Sequence, residues 1–556
     1  MEFVEDIIED LAKSFVNQNV NEVMLTSINL GIAEGFCRNG DIEDGMALYK
    51  KIAIGNTKLT NIISPEFIQK NRDLAEQLFK NKKYTNALIQ YKRILSLTDL
   101  TANEYLNIAI CLIELEQKEA ALTFLHKYEE LESSKEVSYG TIGEILGLKL
   151  EMYPEAISYL EKYIQINPKN ALAFNTLGHF YSTYYNDKCL DKQLACFLNA
   201  NKLQPNHRTY INNIIFAYEK IGDARNIEKF YKKLLKLNPT HLDYYYYGCS
   251  LIKHGNLKDG YKYLEHRFFA PEVTLEYPKW LDMNKRLKSC SNLYDKTVLL
   301  FHEAGFGDSI MYIRFVEEFR KHVKKIILFM PEKLISLFEN MELDIEIHPM
   351  TDDLTELEYD YNATLIDLPY LLSATVDSIP KPEGYIKVPQ SKILAYKNKY
   401  LDTSKFKIGI SYCANPKYKN ATNRDIPLKT FYPLTKLKNI EIYSLQVSDA
   451  AEQIKHLPPN VKIIDLAKNF NNFEDAALAI KNLDLVIATD NVILNLAGAL
   501  GVKTIALFNR FPEYRWFNTT GDDVGWYKSV KPFCAETFNG WDDLMEKVIT
   551  NLQNIY

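Results

Sequence analysis

The sequence lacks long uncharged apolar runs and any excess of positive charge. No apolar stretch of about 18 uncharged residues, the length that a membrane helix needs, occurs anywhere. The N-terminus, MEFVEDIIEDLAKSF, carries acids where a signal peptide has a basic start. Lys and Arg number 66 against 72 Asp and Glu, so the formal net charge is -6. We therefore expect a cytoplasmic protein with no membrane span and no nucleic-acid partner, because the charge balance attracts neither nucleic acid nor anionic lipid.

Cysteine motifs and metal-ligand clusters are also lacking. The eight cysteines are scattered, form no C-x-x-C pair and have no histidine cluster beside them, so neither zinc nor a disulfide framework is indicated. No D-x-D follows a predicted strand, and the pairs at 352–353 and 522–523 fall in predicted loops. We expect no metal and no cofactor. What remains is a globular composition, 47% apolar and 25% charged, on 556 residues, which is long enough for several folding units.

The N-terminal half repeats helical segments at a regular period. From about residue 20 to 268 the apolar residues recur at helical spacing, with a weak copy at 31–49. Prolines end three similar segments, at Pro168, Pro205 and Pro239, and the last two are 34 residues apart, which is the tetratricopeptide period. A proline ends one helix and favours the start of the next. The pattern predicts a solenoid of six or seven helix pairs whose concave face binds a peptide or partner protein.

Beyond Phe268, β-rich apolar runs alternate with amphipathic helices, which is typical of α/β lobes. In the first lobe, strands are predicted at 297–301 and 325–330 with a glycine turn and a helix between them. In the second lobe, strands are predicted at 407–412, 440–445, 461–465, 483–489 and 502–507.

Two predicted strand-to-helix turns carry polar residues at the edge where ligands commonly bind. Gly305 and Gly307 allow the backbone to approach a ligand, and Asp308 stands near the first turn of a helix predicted to begin around Ser309. In the second lobe a buried strand ends at Thr489 and Asp490. This aspartate could cap the N–H groups of the next helix, accept hydrogen bonds from sugar hydroxyls, or do both.

Several motifs in a fixed order carry a family resemblance. They are GYKYLEHRF (260–268), HEAGFGDSIMYIRF (302–315), DLPYLLSATVDSIP (367–380), NPKYKNATNRDIPL (415–428), SLQ (444–446) and ATDNVILNLAGALG (488–501). The C-terminal half resembles a heptosyltransferase-like GT-B glycosyltransferase. The whole chain is similar to bacterial tetratricopeptide-repeat glycosyltransferases, including flagellin-modifying ones. The resemblance implies an α-helical tetratricopeptide-repeat solenoid at 1–270, then the two Rossmann-like lobes of a GT-B fold, an acceptor lobe at 271–395 and a nucleotide-sugar donor lobe at 396–556.

The resemblance also implies an activity and its residues. It is an inverting, metal-independent transfer from a nucleotide sugar to an acceptor hydroxyl, on a protein such as flagellin that the repeats present. Asp308 would be the general base. Arg424 would contact the donor diphosphate, and its alternative is a surface salt bridge. The other donor-side positions are Gly305, Gly307, Asn415, Gln446, Asp490, Asn491 and Asn495, with Lys417, Lys419, Arg515 and Trp516 as secondary positions.

One departure from the family keeps a second function open. The family often reads D-T/S-G/A-x-x-H in the last motif, whereas this sequence has Asp490, Asn491, Val492 and then Asn495 in place of histidine. The alternative is a non-catalytic adaptor with a degenerate transferase module. Trp516 equally suits a core position. A nucleotide-dependent oxidoreductase is disfavoured, because the glycine turn lacks the third glycine of the dinucleotide fingerprint.

Overall fold

The computed structural model describes residues 65–273, 275, 280–351, 357–380, 383–414 and 423–553. The chain forms two compact units, one up to Ala217 and one from Tyr218 onwards. The weak repeat copy at 31–49 lies outside the described residues, as do Asn415, Lys417 and Lys419.

The described part of the repeat region consists of successive helices, most of which pack in pairs. Those before the unit boundary are α1 (Pro65–Lys80), α2 (Tyr84–Leu97), α3 (Ala102–Glu114), α4 (Lys118–Leu131), α5 (Lys135–Leu148), α6 (Tyr153–Ile166), α7 (Ala171–Phe180) and α8 (Leu190–Leu203). Helix α9 (Arg208–Ile221) crosses the boundary, and α10 (Ala224–Leu234), α11 (His241–Lys253) and α12 (Leu257–Leu264) follow it. The predicted helical solenoid is confirmed in this coarse form.

Local sequence signals account for where these helices begin and cross. Pro168, Pro205 and Pro239 lie in the linkers between α6 and α7, α8 and α9, and α10 and α11, as predicted. Gly178 in α7 lies so close to Phe197 that an added Cβ would be 2.6 Å from the ring. Only a residue without a side chain permits this helix crossing.

The first sheet has four parallel strands in the order β3-β2-β1-β4. These strands are β1 (Thr297–Phe301), β2 (Lys325–Met330), β3 (Glu346–Pro349) and β4 (Tyr361–Thr364). The helices between and after them are α13 (Phe306–Tyr312), α14 (Val316–Arg320), α15 (Glu332–Glu339) and α16 (Leu368–Leu371). Since all four strands run parallel, their carboxyl ends lie at one edge, and α13 begins there.

The second sheet has six parallel strands in the order β10-β9-β8-β5-β6-β7. They are β5 (Phe406–Ser411), β6 (Ile440–Ser444), β7 (Ile464–Asp465), β8 (Leu485–Thr489), β9 (Thr504–Phe508) and β10 (Val530–Cys534). Its helices are α17 (Gln390–Tyr400), α18 (Phe473–Lys481), α19 (Val492–Ala499) and α20 (Trp541–Gln553). The strand order reverses at β5, which pairs with β6 on one side and β8 on the other, and such a switch point opens a ligand crevice at the carboxyl ends.

Two sequence predictions need correction. Helix α13 begins at Phe306 rather than near Ser309, because the Asp308 carboxylate accepts from the Gly305 N–H and closes a capping turn earlier in the chain. Strand β7 is shorter than predicted and begins at Ile464. Its expected first residue, Val461, donates its N–H to the Pro458 carbonyl in a turn and so cannot join the sheet.

A shared core joins the last repeat pair to the α/β region. Buried side chains of α11 and α12, among them Ile252, Leu257 and Tyr261, belong to the same cluster as Ile310 and Tyr312 of α13. A second core lies between the second sheet and α20. Over the part of the chain that the structure describes, no helix is both long and apolar enough to cross a membrane.

Candidate functional site

The turn from β1 into α13 holds Asp308 at the carboxyl edge of the first sheet. Ala304 has a φ of 69°, a left-handed conformation that residues with a Cβ rarely adopt, and it reverses the chain direction after β1. Gly305 then caps α13, and its N–H donates to Asp308 Oδ2 at 3.0 Å. This bond fixes one carboxylate oxygen of Asp308, which is 8% exposed.

The other oxygen of Asp308 is paired with an arginine from the second sheet's side. Asp308 Oδ1 lies 2.8 Å from Arg515 Nη1, and Arg515 also pairs with Glu513. Burial raises the pKa of Asp308, and the charges of Glu513 and Glu303 raise it further, whereas Arg515 and the Gly305 N–H oppose the shift. The net direction is upward, which brings this carboxyl closer to the pKa range of a useful general base.

Asp490 occupies the corresponding place after β8. It is 7% exposed, and its Oδ2 lies 3.4 Å from Arg424 Nη1. Burial and the charge of Glu513 raise the pKa of Asp490, while Arg424 and Arg515 lower it. The next residue, Asn491, caps α19 instead, because its Oδ1 accepts from the N–H groups of Ile493 and Leu494, at 3.0 and 3.2 Å. Asp490 therefore faces Arg424 rather than capping the helix.

Gln446 and Asn491 hold the backbone that follows β5. Gln446 Oε1 accepts from the N–H groups of Tyr412 and Cys413, both at 3.0 Å. Asn491 Nδ2 donates to Ser411 Oγ at 2.8 Å. These two predicted donor-side residues thus fix the chain from Ser411 to Cys413.

Residues 423–425 are tied to two strand ends of the second sheet. The Ala414 N–H donates to Asp425 Oδ1 at 2.8 Å. Asn509, after β9, donates through Nδ2 to the Asn423 carbonyl at 3.0 Å. The Thr489 hydroxyl, at the end of β8, donates to the Arg424 carbonyl. Arg424 is consequently anchored above the carboxyl ends of β8 and β9, next to Asp490.

Gly307, Asn495 and Trp516 serve the packing of this region. A Cβ on Gly307 would be 2.9 Å from Asn495 Nδ2, so α13 and α19 cross closely at this point. The Asn495 amide donates to the Asn491 carbonyl at 3.2 Å and accepts from the Tyr527 hydroxyl at 3.0 Å. Trp516 is 2% exposed, with its ring near Phe508.

Sequence reasoning missed a buried ion cluster at the edge of the first sheet. Arg267, after α12, donates to Glu303 at 2.6 and 2.8 Å and to Asp367 at 2.5 Å. Arg286 donates to the second oxygen of Asp367 and to both oxygens of Glu265, each at 3.0 Å. Burial and then the charge of Asp367 raise the pKa of Glu265 to about 8, against the two arginines. Arg267, Glu303 and Asp367 each lie in a different one of the motifs that carry the family resemblance. Their presence in these motifs was the sequence signal that could have pointed to the cluster.

Comparison with known proteins identifies the repeats. The tetratricopeptide repeat family matches residues 137–170, which contain most of α5 and all of α6. This chain contains a tetratricopeptide repeat.

One curated relative and several solved structures are similar to parts of the chain. Protein FlbA of Caulobacter vibrioides is 21% identical over 335 residues, which are 55% of this chain and 54% of FlbA. The chain thus matches about half the length of that relative. MamA from Desulfovibrio magneticus RS-1 is 21% identical, covering 31% of this chain and 94% of MamA with a TM-score of 0.28. Another MamA crystal structure is 20% identical, covering 31% and 93% with a TM-score of 0.28.

The tetratricopeptide repeat suggests a role in binding protein partners. The charged residues of the candidate site lie in the parallel-sheet α/β region. The structure brings five of them together: Asp308, Arg424, Asp490, Glu513 and Arg515. Among the described residues, no group of three His, Cys, Asp or Glu side chains is arranged to hold a metal ion.

Proposed function

We propose that the protein is an inverting, metal-independent GT-B glycosyltransferase that moves a sugar from a nucleotide sugar to an acceptor hydroxyl. The observation that supports this most is the Asp308–Arg515 ion pair, because it joins the carboxyl edges of two parallel sheets. A buried carboxylate on one side and Arg424 beside the strand-order reversal on the other are what such a transfer requires.

The proposed reaction uses the two edges for different tasks. The donor diphosphate lies along the carboxyl edge of the second sheet, at Arg424. The acceptor oxygen forms a bond to the sugar C1 from the face opposite the diphosphate, and Asp308 takes the proton of that hydroxyl. The bond from C1 to the phosphate oxygen breaks, and its electron pair leaves on the diphosphate, whose growing charge Arg424 stabilises.

The acceptor is proposed to be a protein, such as a flagellin Ser or Thr. Support comes from the last repeat pair, which is built into the acceptor side. The Tyr261 hydroxyl of α12 lies 2.7 Å from the Tyr312 hydroxyl, and Tyr312 belongs to α13, the helix that carries Asp308. A peptide bound at α11 and α12 would lie near the proposed base.

The experiment is donor hydrolysis over a panel of nucleotide sugars, combined with intact mass of candidate protein partners. We expect one donor to be consumed and one partner to gain the mass of its sugar. Asp308→Asn should slow the gain by about 10² to 10⁴-fold while it keeps donor binding. No consumption and no adduct with any donor would contradict the proposal.

One observation favours the adaptor alternative. Asn495 stands where the family that the sequence resembles often has a histidine, and both the nitrogen and the oxygen of its amide are bonded within the protein. In that function the repeats bind a partner, and the α/β region binds a nucleotide sugar without turnover. Binding of a donor in the panel with neither hydrolysis nor adduct would favour it.

A further inference from the structure

Arg515 reaches the proposed base from the opposite side of the site. It follows β9 of the second sheet, and its Nη1 lies 2.8 Å from Asp308 Oδ1 in the first-sheet helix α13. Its Nη2 pairs with Glu513, and its guanidinium carbon lies 5.2 Å from the centre of the Tyr514 ring. Arg515 is therefore a mostly buried cation held between two carboxylates.

This pairing opposes the task that the proposed function gives to Asp308. Oδ2 already accepts from Gly305 N, and Oδ1 is paired with Arg515, so both carboxylate oxygens are engaged. The positive charge also holds the pKa of Asp308 below the value that burial alone would give. In this arrangement Asp308 is a weaker proton acceptor than its burial permits.

The same arginine acts on the donor side of the site. Its charge lowers the pKa of Asp490, which pairs with Arg424 at 3.4 Å. The two arginines thus serve three carboxylates, those of Asp308, Asp490 and Glu513. A diphosphate adds further negative charge, and its oxygens suit the forked donors of a guanidinium at least as well as a carboxylate does. A bound donor would therefore compete with Asp308 for Arg515.

We propose that Arg515 is a positioning residue that couples donor binding to the base: the donor diphosphate takes Arg515 from Asp308, and Asp308 then accepts the acceptor proton. The inference rests on the proposed function. It makes donor binding precede acceptor deprotonation, and it keeps the base weak while the donor site is empty.

Other ionisable groups around the pair set the controls. Glu513 and Glu303 face Asp308, as does Tyr312 of its own helix. Four buried tyrosines stand near Arg515, namely Tyr245, Tyr261, Tyr312 and Tyr514. Burial raises the pKa of each above its usual value, so none of them ionises in the pH range of the tests. Glu513 is the second carboxylate paired with Arg515, and Glu513→Gln is therefore included as a variant.

The first test needs no turnover. Binding of UDP, ADP and GDP is measured by calorimetry from pH 5 to 8 in buffers of different ionisation enthalpy, which gives the protons taken up on binding. The wild type should take up a fraction of a proton, because losing Arg515 raises the pKa of Asp308. Arg515→Gln and Asp308→Asn should lose this uptake, and Glu513→Gln should retain it.

Two failures of this test are distinct. Binding of a nucleoside diphosphate with equal uptake in the wild type and Arg515→Gln would overturn the coupling and leave the proposed transferase standing. The absence of binding by all three diphosphates would overturn the proposed function, and the coupling with it.

The second test is the pH profile of transfer. In Arg515→Gln the acid limb of kcat/KM for the donor should move up by about one to three pH units, because an adjacent cation lowers a carboxyl pKa by about that much. Arg515→Lys should restore the limb in part. Arg510→Gln, on the same segment, should leave it unchanged, since Arg510 donates to the Glu536 carbonyl instead. An Arg515→Gln enzyme that is slower at every pH with an unmoved limb would overturn the inference.

Discussion

Asp308 and Asp490 both lie where a parallel strand is followed by a helix, and they are held in different ways. Each follows a buried parallel strand, each is more than nine-tenths buried, and burial raises the pKa of both. The cation of Asp490, Arg424, belongs to the same sheet's loops and lies at 3.4 Å. The cation of Asp308, Arg515, comes from the other sheet and lies at 2.8 Å.

This difference shows which aspartate has its surroundings within a single sheet. Asp490 and Arg424 are positioned by β8 and by the loop after β5, so their geometry is a property of the second sheet. The surroundings of Asp308 are completed only where the two sheet edges meet. We infer that the donor side is preformed, whereas the state of the proposed base depends on the contact between the lobes.

The largest expected effect separates the roles of the two aspartates. Asp308→Asn should lower the rate of sugar transfer by about 10² to 10⁴-fold, because the loss of a general base costs about that much. Donor affinity should not fall, since the donor side is held by the second sheet and the neutral side chain of the variant no longer competes with the diphosphate for Arg515. The measurement is steady-state transfer together with calorimetric donor binding.

Asp344→Asn is the matched control for that substitution. Asp344 pairs with Arg320 at the surface, and its side chain is 86% exposed. Its replacement should leave transfer unchanged. Equal transfer by wild type and Asp308→Asn would remove the distinction between the two aspartates.

The second expected effect tests how the first sheet's edge is held. Glu303→Gln keeps the size of the side chain but removes the charge that faces Arg267. Removal of one partner from a buried ion pair costs about 3 to 5 kcal/mol of unfolding free energy. Urea denaturation measures it. The control is Glu318→Gln, whose solvent-exposed pair with Lys321 should contribute far less than the buried cluster. Equal losses in the two variants would contradict a stabilising role for the cluster.

The sequence predicted the strands better than the side-chain partners. The bounds 297–301 and 325–330 match β1 and β2, because continuous apolar runs between turns identify buried parallel strands. The ion cluster was not foreseen, because Arg267 meets partners 36 and 100 residues further along the chain. Such pairs depend on the strand order, which local periodicity does not encode.

The candidate site shows the same division. Arg424 and Asp490 were each assigned to the donor side from their own motifs, and the structure brings the two together. Gln446 and Asn491 were expected on the donor side. Their hydrogen bonds to Tyr412 and Ser411 at the end of β5 could not be predicted from the sequence. The Asp308–Arg515 pair joins residues of two different sheets, so no spacing in the sequence announces it.

The third prediction tests whether the donor side stands alone. Arg424→Gln should weaken nucleoside diphosphate binding by about 10 to 100-fold, because a charged hydrogen bond contributes about 1.5 to 3 kcal/mol. Arg510→Gln is the control in the same lobe and should bind as the wild type does. Unchanged affinity in Arg424→Gln would place the diphosphate elsewhere and break the contrast between the two edges.

The smallest expected effect compares the two aspartates through pH. The folded pKa of Asp308 is raised above its unfolded value of about 3.9, so between these values the folded chain keeps a proton that the unfolded chain has lost. Stability must then rise as pH falls through this window. Asp308→Asn cannot titrate, so its unfolding free energy should exceed that of the wild type at pH 7, and the gap should shrink towards pH 4. Each unit of pKa shift contributes about 1.4 kcal/mol to the gap.

Arg515→Gln tests whether that difference in unfolding free energy depends on the contact between the lobes. Without its cation the pKa of Asp308 rises further, so the pH window widens and the destabilisation at pH 7 grows. Arg424→Gln should leave the Asp308 window unchanged, because its partner is Asp490. Urea denaturation at pH steps between 4 and 8 measures both. If Arg424→Gln and Arg515→Gln shift the window equally, the two aspartates share one electrostatic site, and the second sheet's edge is not independent of the first.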